Sequence, residues 1–494
     1  MPAATIAPPR VTKRNPAGLL IGGREVAASG GRTLDVEDPA TGRPIARVAD
    51  ASPADCLAAL DAAQAAGAAW AATPPRERAR VLRRAADALR HGPEAEAAAQ
   101  GITAEMGKPL AESRDEARFG ADYLEWFAEE AVRIDGRICD APTGDARHLV
   151  TRAPVGPCLV ITPWNFPLAV PARGIAPALA AGCTVVLRPS ALTPLSALLL
   201  ARVLDAAGLP AGVLNVVMSS EDGATDALLL DGRVRKLTFT GSAPVGRHLI
   251  GLAAPQVLRV SAELGGCAPF IVFADADMDA AVDCAVAAKM RNGGAACTAA
   301  NRFYVERPAA ERFALRLAER IGAIRIGAGD RPGVGCGPMI SARHVERLAA
   351  LVDDAVAHGA RVLVAGGPVP GRGHFFAPVV LADVPHDARV MREEIFGPVA
   401  AIAAFDSEDE ALERANDHEA GLAAYLHTGD LARAMRMGPA IRAGMVGINR
   451  GRVSCVAAPF GGVGHAGFGH AGGAEGIDEY LVTRYLSLPV TPAA

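Results

Sequence analysis

The sequence predicts an α/β protein built from more than one domain. Three observations carry that prediction. The chain has 494 residues, too many for one compact core. From Pro157 onward it alternates short apolar runs with helical stretches, the rhythm of a mostly parallel sheet with helices on both faces. A second series of the same kind starts near Asp275 and runs to about Asn449.

Taken in order, residues 20–50 read as short strands separated by turns (LIGGRE, then DPATGRPIARV). Ser52-Pro53-Ala54-Asp55 carries a cap, a proline at the first helical position and an acid at the third. Thr73-Pro74-Pro75 opens a second helix, which Gly92-Pro93 stops. Helical pattern continues to about Val132, and a hairpin is expected within residues 135–156. CLVIT is a strand, and Pro171 to Ala181 is a helix. CTVVLRP, VLNVVM and VRKLTFT are further strands in the series. At the C-terminus, EYLVTRYLSL alternates as an edge strand does. No period of 20–50 residues recurs, which excludes a solenoid.

Composition narrows the function classes. Half the residues are hydrophobic, 21% are charged and the formal charge is −4. That balance points away from nucleic acid and from anionic membrane surfaces. No apolar run reaches the roughly 18 residues of a membrane span. The best, Ile175 to Leu187, is broken by Gly182 and Thr184. The N-terminal stretch has no apolar core of a secretory signal. The nine cysteines are scattered, with neither a CxxC pair nor zinc spacing. No metal is expected, and the cysteines fit a reducing cytoplasm.

Four segments carry chemistry. Cys297, in RNGGAACTAANR, follows a helical pattern broken by Gly293 and Gly294, which places the thiol on an approachable turn. It reads as a nucleophile or as a small buried cysteine. Glu263, in VSAELGG, lies between apolar stretches, where a carboxyl is driven toward the pKa of a general base; a surface glutamate on a turn fits equally. Asn165, in ITPWNFPL after the strand CLVIT, can aim an amide at a developing oxyanion, or it is incidental to an apolar loop. Gly241-Ser242 ends a strand and opens a helix, an arrangement that suits a pyrophosphate. The two GxGxxG matches, Gly462–Gly467 and Gly467–Gly472, lack a preceding strand and are read as decoys.

Together these segments resemble the aldehyde dehydrogenase superfamily. Its motifs PWNFP, VVxKPSE, FTGSxxxG, ELGG, GQxC, EExFGPV and PFGG match Pro163–Pro167, Val185–Ala191, Phe239–Gly246, Glu263–Gly266, Gly294–Cys297, Glu393–Val399 and Pro459–Gly462. They stand in the family's order, with Glu263 and Cys297 34 residues apart. The resemblance implies a Rossmann-type cofactor domain, an α/β catalytic domain and a small β oligomerisation flap. The implied boundaries are a flexible N-terminus over 1–16, a dinucleotide-binding domain over 17–135 and 157–268, and a catalytic domain over 269–450. A flap over 136–156 and 477–494 and a substrate-pocket loop over 451–476 complete the division.

The resemblance also implies roles. Cys297 attacks an aldehyde, the Asn165 amide and the Cys297 N–H hold the oxyanion, and Glu263 activates water. NADP or NAD would contact Thr162, Pro163, Trp164, Arg188, Ser190, Ala191, Gly241, Ser242, Leu264, Glu394 and Phe396. Within the superfamily, NFPLAVPAR, KMRNGG and GMVGINRGRVSCVAAPFGG look like the succinate semialdehyde dehydrogenase branch. There, arginines at the positions of Arg173 and Arg291 grip a distal carboxylate, joined by a serine at Ser454 or its neighbour Cys455. Glutarate semialdehyde fits the same clamp. A cofactor-independent thiol esterase and a silent structural oligomer are the readings from other classes. A homodimer or homotetramer is expected, with neither nucleic acid nor membrane as partner.

The sequence also departs from the family pattern. VVKPSE becomes VVLRPSA, so Arg188 replaces a lysine and Ala191 a glutamate that bonds the ribose 2′-hydroxyl; this favours NADP. GQTC becomes GAAC, and Ala299 stands where some relatives carry a second cysteine. GVKQSGLGRE becomes GVGHAGFGHA, which puts local salt bridges in that loop in doubt.

Overall fold

The computed structural model describes residues 17–490; the expected flexible N-terminus and the last four residues of the expected flap lie outside them. Ser52 forms the anticipated capping box: its hydroxyl accepts from Asp55 N, and the Asp55 carboxylate accepts from Ser52 N. The helix capped in this way is Pro53–Ala72, and the next is Pro75–His91. Pro93–Met106 and Leu110–Glu130 complete the helical stretch.

Five parallel strands form the heart of the first sheet. Their spatial order is Leu214–Val216, Val185–Arg188, Cys158–Ile161, Lys236–Gly241, Arg259–Leu264. In chain order the first of these is Cys158–Ile161, so the sheet grows one way from it and then reverses to Lys236–Gly241. Such a reversal opens a crevice at the carboxyl ends of the two strands. Cys158–Ile161 is buried along its whole length, as a strand covered by helices on both faces must be.

The second sheet orders its strands Arg361–Val364, Val379–Ala382, Val399–Phe405, Arg302–Glu306, Pro269–Val272, Ala423–His427, Met445–Ile448. All neighbours are parallel except the first pair. This series therefore starts at Pro269, ahead of the expected Asp275. Asp275 belongs to the turn beyond the strand, where the Asp277 carboxylate caps helix Met278–Met290.

The predicted hairpin pairs Arg137–Asp140 with Ala146–Pro154, and Leu481–Pro489 adds to its other side. Leu481 lies opposite Pro154 and Pro489 opposite Ala146. Beyond Val482 this last strand is exposed, including Tyr485, Leu486 and Leu488. No helix among the described residues is long and apolar enough to cross a membrane.

Candidate active site

The crevice at the sheet reversal opens into a cavity of about 500 Å³. One wall comes from the loop after Cys158–Ile161, which carries Pro163, Trp164 and Asn165. A second comes from Gly241 and Ser242 at the end of Lys236–Gly241. Ser242 is the N-cap of helix Ala243–Ala253, yet its side chain makes no capping bond. The first N–H groups of that helix are thus without intrahelical partners, the condition for binding phosphate oxygens.

The turn that carries Cys297 closes a third side. Helix Met278–Met290 breaks into a tight turn in which Asn292 (φ 57°) and Gly293 (φ 58°) are left-handed. Cys297 then lies half-buried on the cavity wall. Burial holds its thiol above the ordinary cysteine range, outweighing the nearby Arg173 and Arg291 charges. Asn165 is buried, and its Nδ2 donates to Ala295 O at 3.0 Å. An amide has two hydrogens on that nitrogen, so the second is free for a ligand oxygen.

Glu263 ends strand Arg259–Leu264 within the same cavity. Both carboxyl oxygens are buried without a hydrogen-bond partner. Burial pushes its pKa up to about 8, with Arg173 opposing and Glu479 adding to the rise. The supposed dinucleotide glycines have a different task here. Gly467 pairs with Glu263 in the adjacent antiparallel strand, and a Cβ there would lie 1.8 Å from Ala262 O. Only glycine permits that approach, and no phosphate is involved.

Two arginines share the cavity with Cys297. Arg173 is 7% exposed, lies over the Phe460 ring at 4.2 Å, and donates to Thr240 Oγ1 at 3.4 Å. Arg291 donates to Thr298 Oγ1 at 3.2 Å and lies 5.1 Å from the Phe166 ring. Among the described residues neither has an ion-paired carboxylate. Ser454 lines the cavity. The alternative, Cys455, is exposed and lies outside the cavity wall, so the structure brings Ser454 and not Cys455 to the two arginines.

Glu394 and Phe396 enter from the second sheet's side. Glu394 is pushed up to about 7 by burial, and its Oε1 has no partner. It fits only because residue 265 is glycine; a Cβ there would lie 2.3 Å from Glu394 Oε2. Phe396 meets Trp164 edge-on at 5.4 Å. Arg347 donates to Ile395 O at 2.9 Å and to Glu394 O, fixing this segment from behind. Leu264 also lines the cavity. Four expected cofactor residues lie outside it. Thr162 faces a water-sized hollow behind Glu263, while Arg188 ends the neighbouring strand Val185–Arg188 and Ser190 and Ala191 follow it. Arg188 donates to Ser219 O at 3.1 Å. Phe119, Tyr123, His344 and Arg347 also line the wall, and none of them sits in a motif that announces a pocket; Phe460, also in the wall, belongs to the PFGG motif but is given no role by the sequence.

The pattern of the aldehyde dehydrogenase family matches residues 26–486. The chain belongs to the aldehyde dehydrogenase family. It is 52% identical over 445 residues to the succinate-semialdehyde dehydrogenase of Paenarthrobacter nicotinovorans, covering 90% of this chain and 98% of that one. It is 43% identical over 469 residues to the NADP(+) succinate-semialdehyde dehydrogenase of Escherichia coli (strain K12), covering 95% and 97%. The crystal structure of succinate-semialdehyde dehydrogenase from Burkholderia pseudomallei superposes with a TM-score of 0.95 at 43% identity, covering 99% and 100%. This aldehyde dehydrogenase thus shares both fold and nearly full length with that branch.

Proposed function

We propose that this aldehyde dehydrogenase oxidises succinate semialdehyde to succinate with NADP through a thioester on Cys297. The observation that carries the substrate is Arg173: a buried guanidinium, in the same cavity as Cys297, with no carboxylate ion-paired to it among the described residues. A buried charge costs free energy until an opposite charge reaches it. A substrate with a carboxylate at its far end supplies that charge, and Arg291 and Ser454 stand on the same cavity wall to share it. The planar guanidinium fork matches a carboxylate.

The cleft residues fit a nicotinamide dinucleotide. The uncapped N-terminus at Ser242 suits its phosphates, and the orphaned, buried Glu394 Oε1 suits a ribose hydroxyl. When bound, the nicotinamide would supply the hydride acceptor for the carbon that Cys297 attacks. The chain's own residues do the rest. Cys297 Sγ attacks the carbonyl carbon as a thiolate. The free hydrogen of Asn165 Nδ2 and the Cys297 N–H hold the resulting oxyanion. After hydride departure, Glu263 takes a proton from water, and the hydroxide formed displaces Cys297 Sγ to leave a carboxylate.

The test is Arg173→Leu. Loss of a buried charged contact typically costs about 2–5 kcal/mol. kcat/KM for succinate semialdehyde should therefore fall by about 10²–10³-fold, while butanal is used as well as before or better. Equal losses on both aldehydes would sink the clamp. Glutarate semialdehyde, one methylene longer, enters the same assay, because a methylene is worth only about 1–3 kcal/mol of discrimination.

The NADP preference rests on Ala191 and Arg188 beside the first crossover strand. Ala191→Glu restores a carboxylate that repels a 2′-phosphate, and like charges in contact cost several kcal/mol. kcat/KM for NADP over NAD should drop by about tenfold or more. A wild-type enzyme already preferring NAD tenfold would contradict the assignment. The exposed strand Leu481–Pro489 supports assembly into a homodimer or homotetramer by sheet extension, and the dispersed free cysteines support a cytoplasmic setting.

A further inference from the structure

Helix Leu110–Glu130 presents two carboxylates one turn apart, Glu112 and Glu116, to the back of the catalytic centre. They grip different halves of it. Glu116 Oε1 accepts from Leu168 N at 2.9 Å and Ala169 N at 3.2 Å, just beyond the oxyanion loop. Its other oxygen accepts from Lys108 Nζ at 2.5 Å. Lys108 Nζ also donates to Asn165 O at 2.8 Å and sits 4.0 Å over the Phe166 ring. The pair is buried, and every charged atom in it is engaged. Asn165 is therefore held from its own carbonyl and from both residues that come after its loop.

Glu112 Oε2 accepts from Asn292 N at 2.6 Å. Asn292 is the left-handed residue of the nucleophile turn, a conformation that costs free energy unless its surroundings impose it. Its side-chain Nδ2 donates to Asn165 O and to Ala295 O, both at 2.9 Å. Ala295 O also takes the Asn165 amide. One helix face thus fixes the oxyanion loop through Glu116 and Lys108. It fixes the nucleophile turn through Glu112 and Asn292, and the two halves meet at Asn165 O and Ala295 O.

We infer that Lys108, Glu112, Glu116 and Asn292 are positioning residues that set the Asn165 amide against Cys297. None of them lines the cavity. A shift of about 1 Å in such a constellation is enough to cost on the order of 10²-fold in rate. The inference rests on Asn165 serving as an oxyanion donor, so the test separates the two claims.

A double-mutant cycle does so. Lys108→Met is combined with Asn165→Ala, and kcat, KM and the rate of Cys297 alkylation are measured for each variant. The single Lys108→Met change should lower kcat by about 10–100-fold, with KM within about threefold and Cys297 alkylation unchanged. In the Asn165→Ala background the same change should lower kcat by less than about twofold. Independent, multiplying losses would overturn the positioning role while leaving the oxyanion role intact. A full rate in Asn165→Ala would overturn the oxyanion role itself. Where Lys108→Met fails to fold, Glu116→Gln and Lys108→Arg carry the same cycle; Lys108→Arg should recover part of the rate, and a variant as slow as Glu116→Gln counts against the inference.

Discussion

Cys297→Ala should lower NADP-linked oxidation of succinate semialdehyde by on the order of 10⁵-fold. The loss is that large because covalent attack cannot be replaced by a neighbour: removing a nucleophile eliminates the path itself, and only binding and polarisation remain. No second cysteine stands within the turn, since positions 299 and 300 are alanines. Nucleotide binding should persist, because the Ser242 helix start and Glu394 belong to other elements; quenching of Trp164 fluorescence reads it. Residual turnover within tenfold of the parent enzyme would show that another group carries the chemistry.

Glu263→Gln produces a different signature. Acylation and hydride transfer do not need the carboxylate, so one equivalent of reduced nicotinamide should appear rapidly per active site. Hydrolysis then stalls, and steady turnover falls by about 10²–10⁴-fold, the usual worth of a general base. The pH dependence has a definite sign. Burial raises the Glu263 carboxyl to about 8, so the protonated, inactive form dominates below that value. Steady turnover should rise as pH increases through about 8 and then level off. In Glu263→Gln that rise should be missing from the hydrolytic phase. The burst rate tracks Cys297 instead, whose thiol burial also holds high, so the two phases titrate separately. A parent enzyme whose hydrolytic rate is flat between pH 6 and pH 9 would contradict the assignment of the base.

The residues that meet in the cavity were legible where each belongs to a short, contiguous segment. Asn165 sits in a rigid loop after a strand, Glu263 ends a strand before two glycines, and Cys297 comes after a glycine turn. Each of those patterns is local. The strand-by-helix rhythm likewise pointed to the two sheets, although the second begins with the strand Pro269–Val272, ahead of the expected start near Asp275. The features that stayed hidden arrive by packing. Phe119 and Tyr123 reach the cavity from helix Leu110–Glu130. Lys108, Glu112 and Glu116 carry no motif, and their role emerges only when that helix and the residue before its cap are laid against the Asn165 loop. Ser454 and Cys455 could not be told apart because adjacent residues of a loop have no fixed facing. The two GxGxxG strings show the converse: their glycines allow a strand to close against Glu263.

On the proposed clamp, Arg173 should also govern product release. It would hold the end of the molecule that the reaction leaves untouched, so succinate would meet the same guanidinium as its aldehyde. Affinity of that kind is shared by reactant and product. The enzyme should be inhibited by small dicarboxylates with no carbonyl at all, and departure of succinate becomes a slow event in the cycle. Salt that screens the arginine would then hasten each turnover at saturating substrate even as it weakens capture at low substrate.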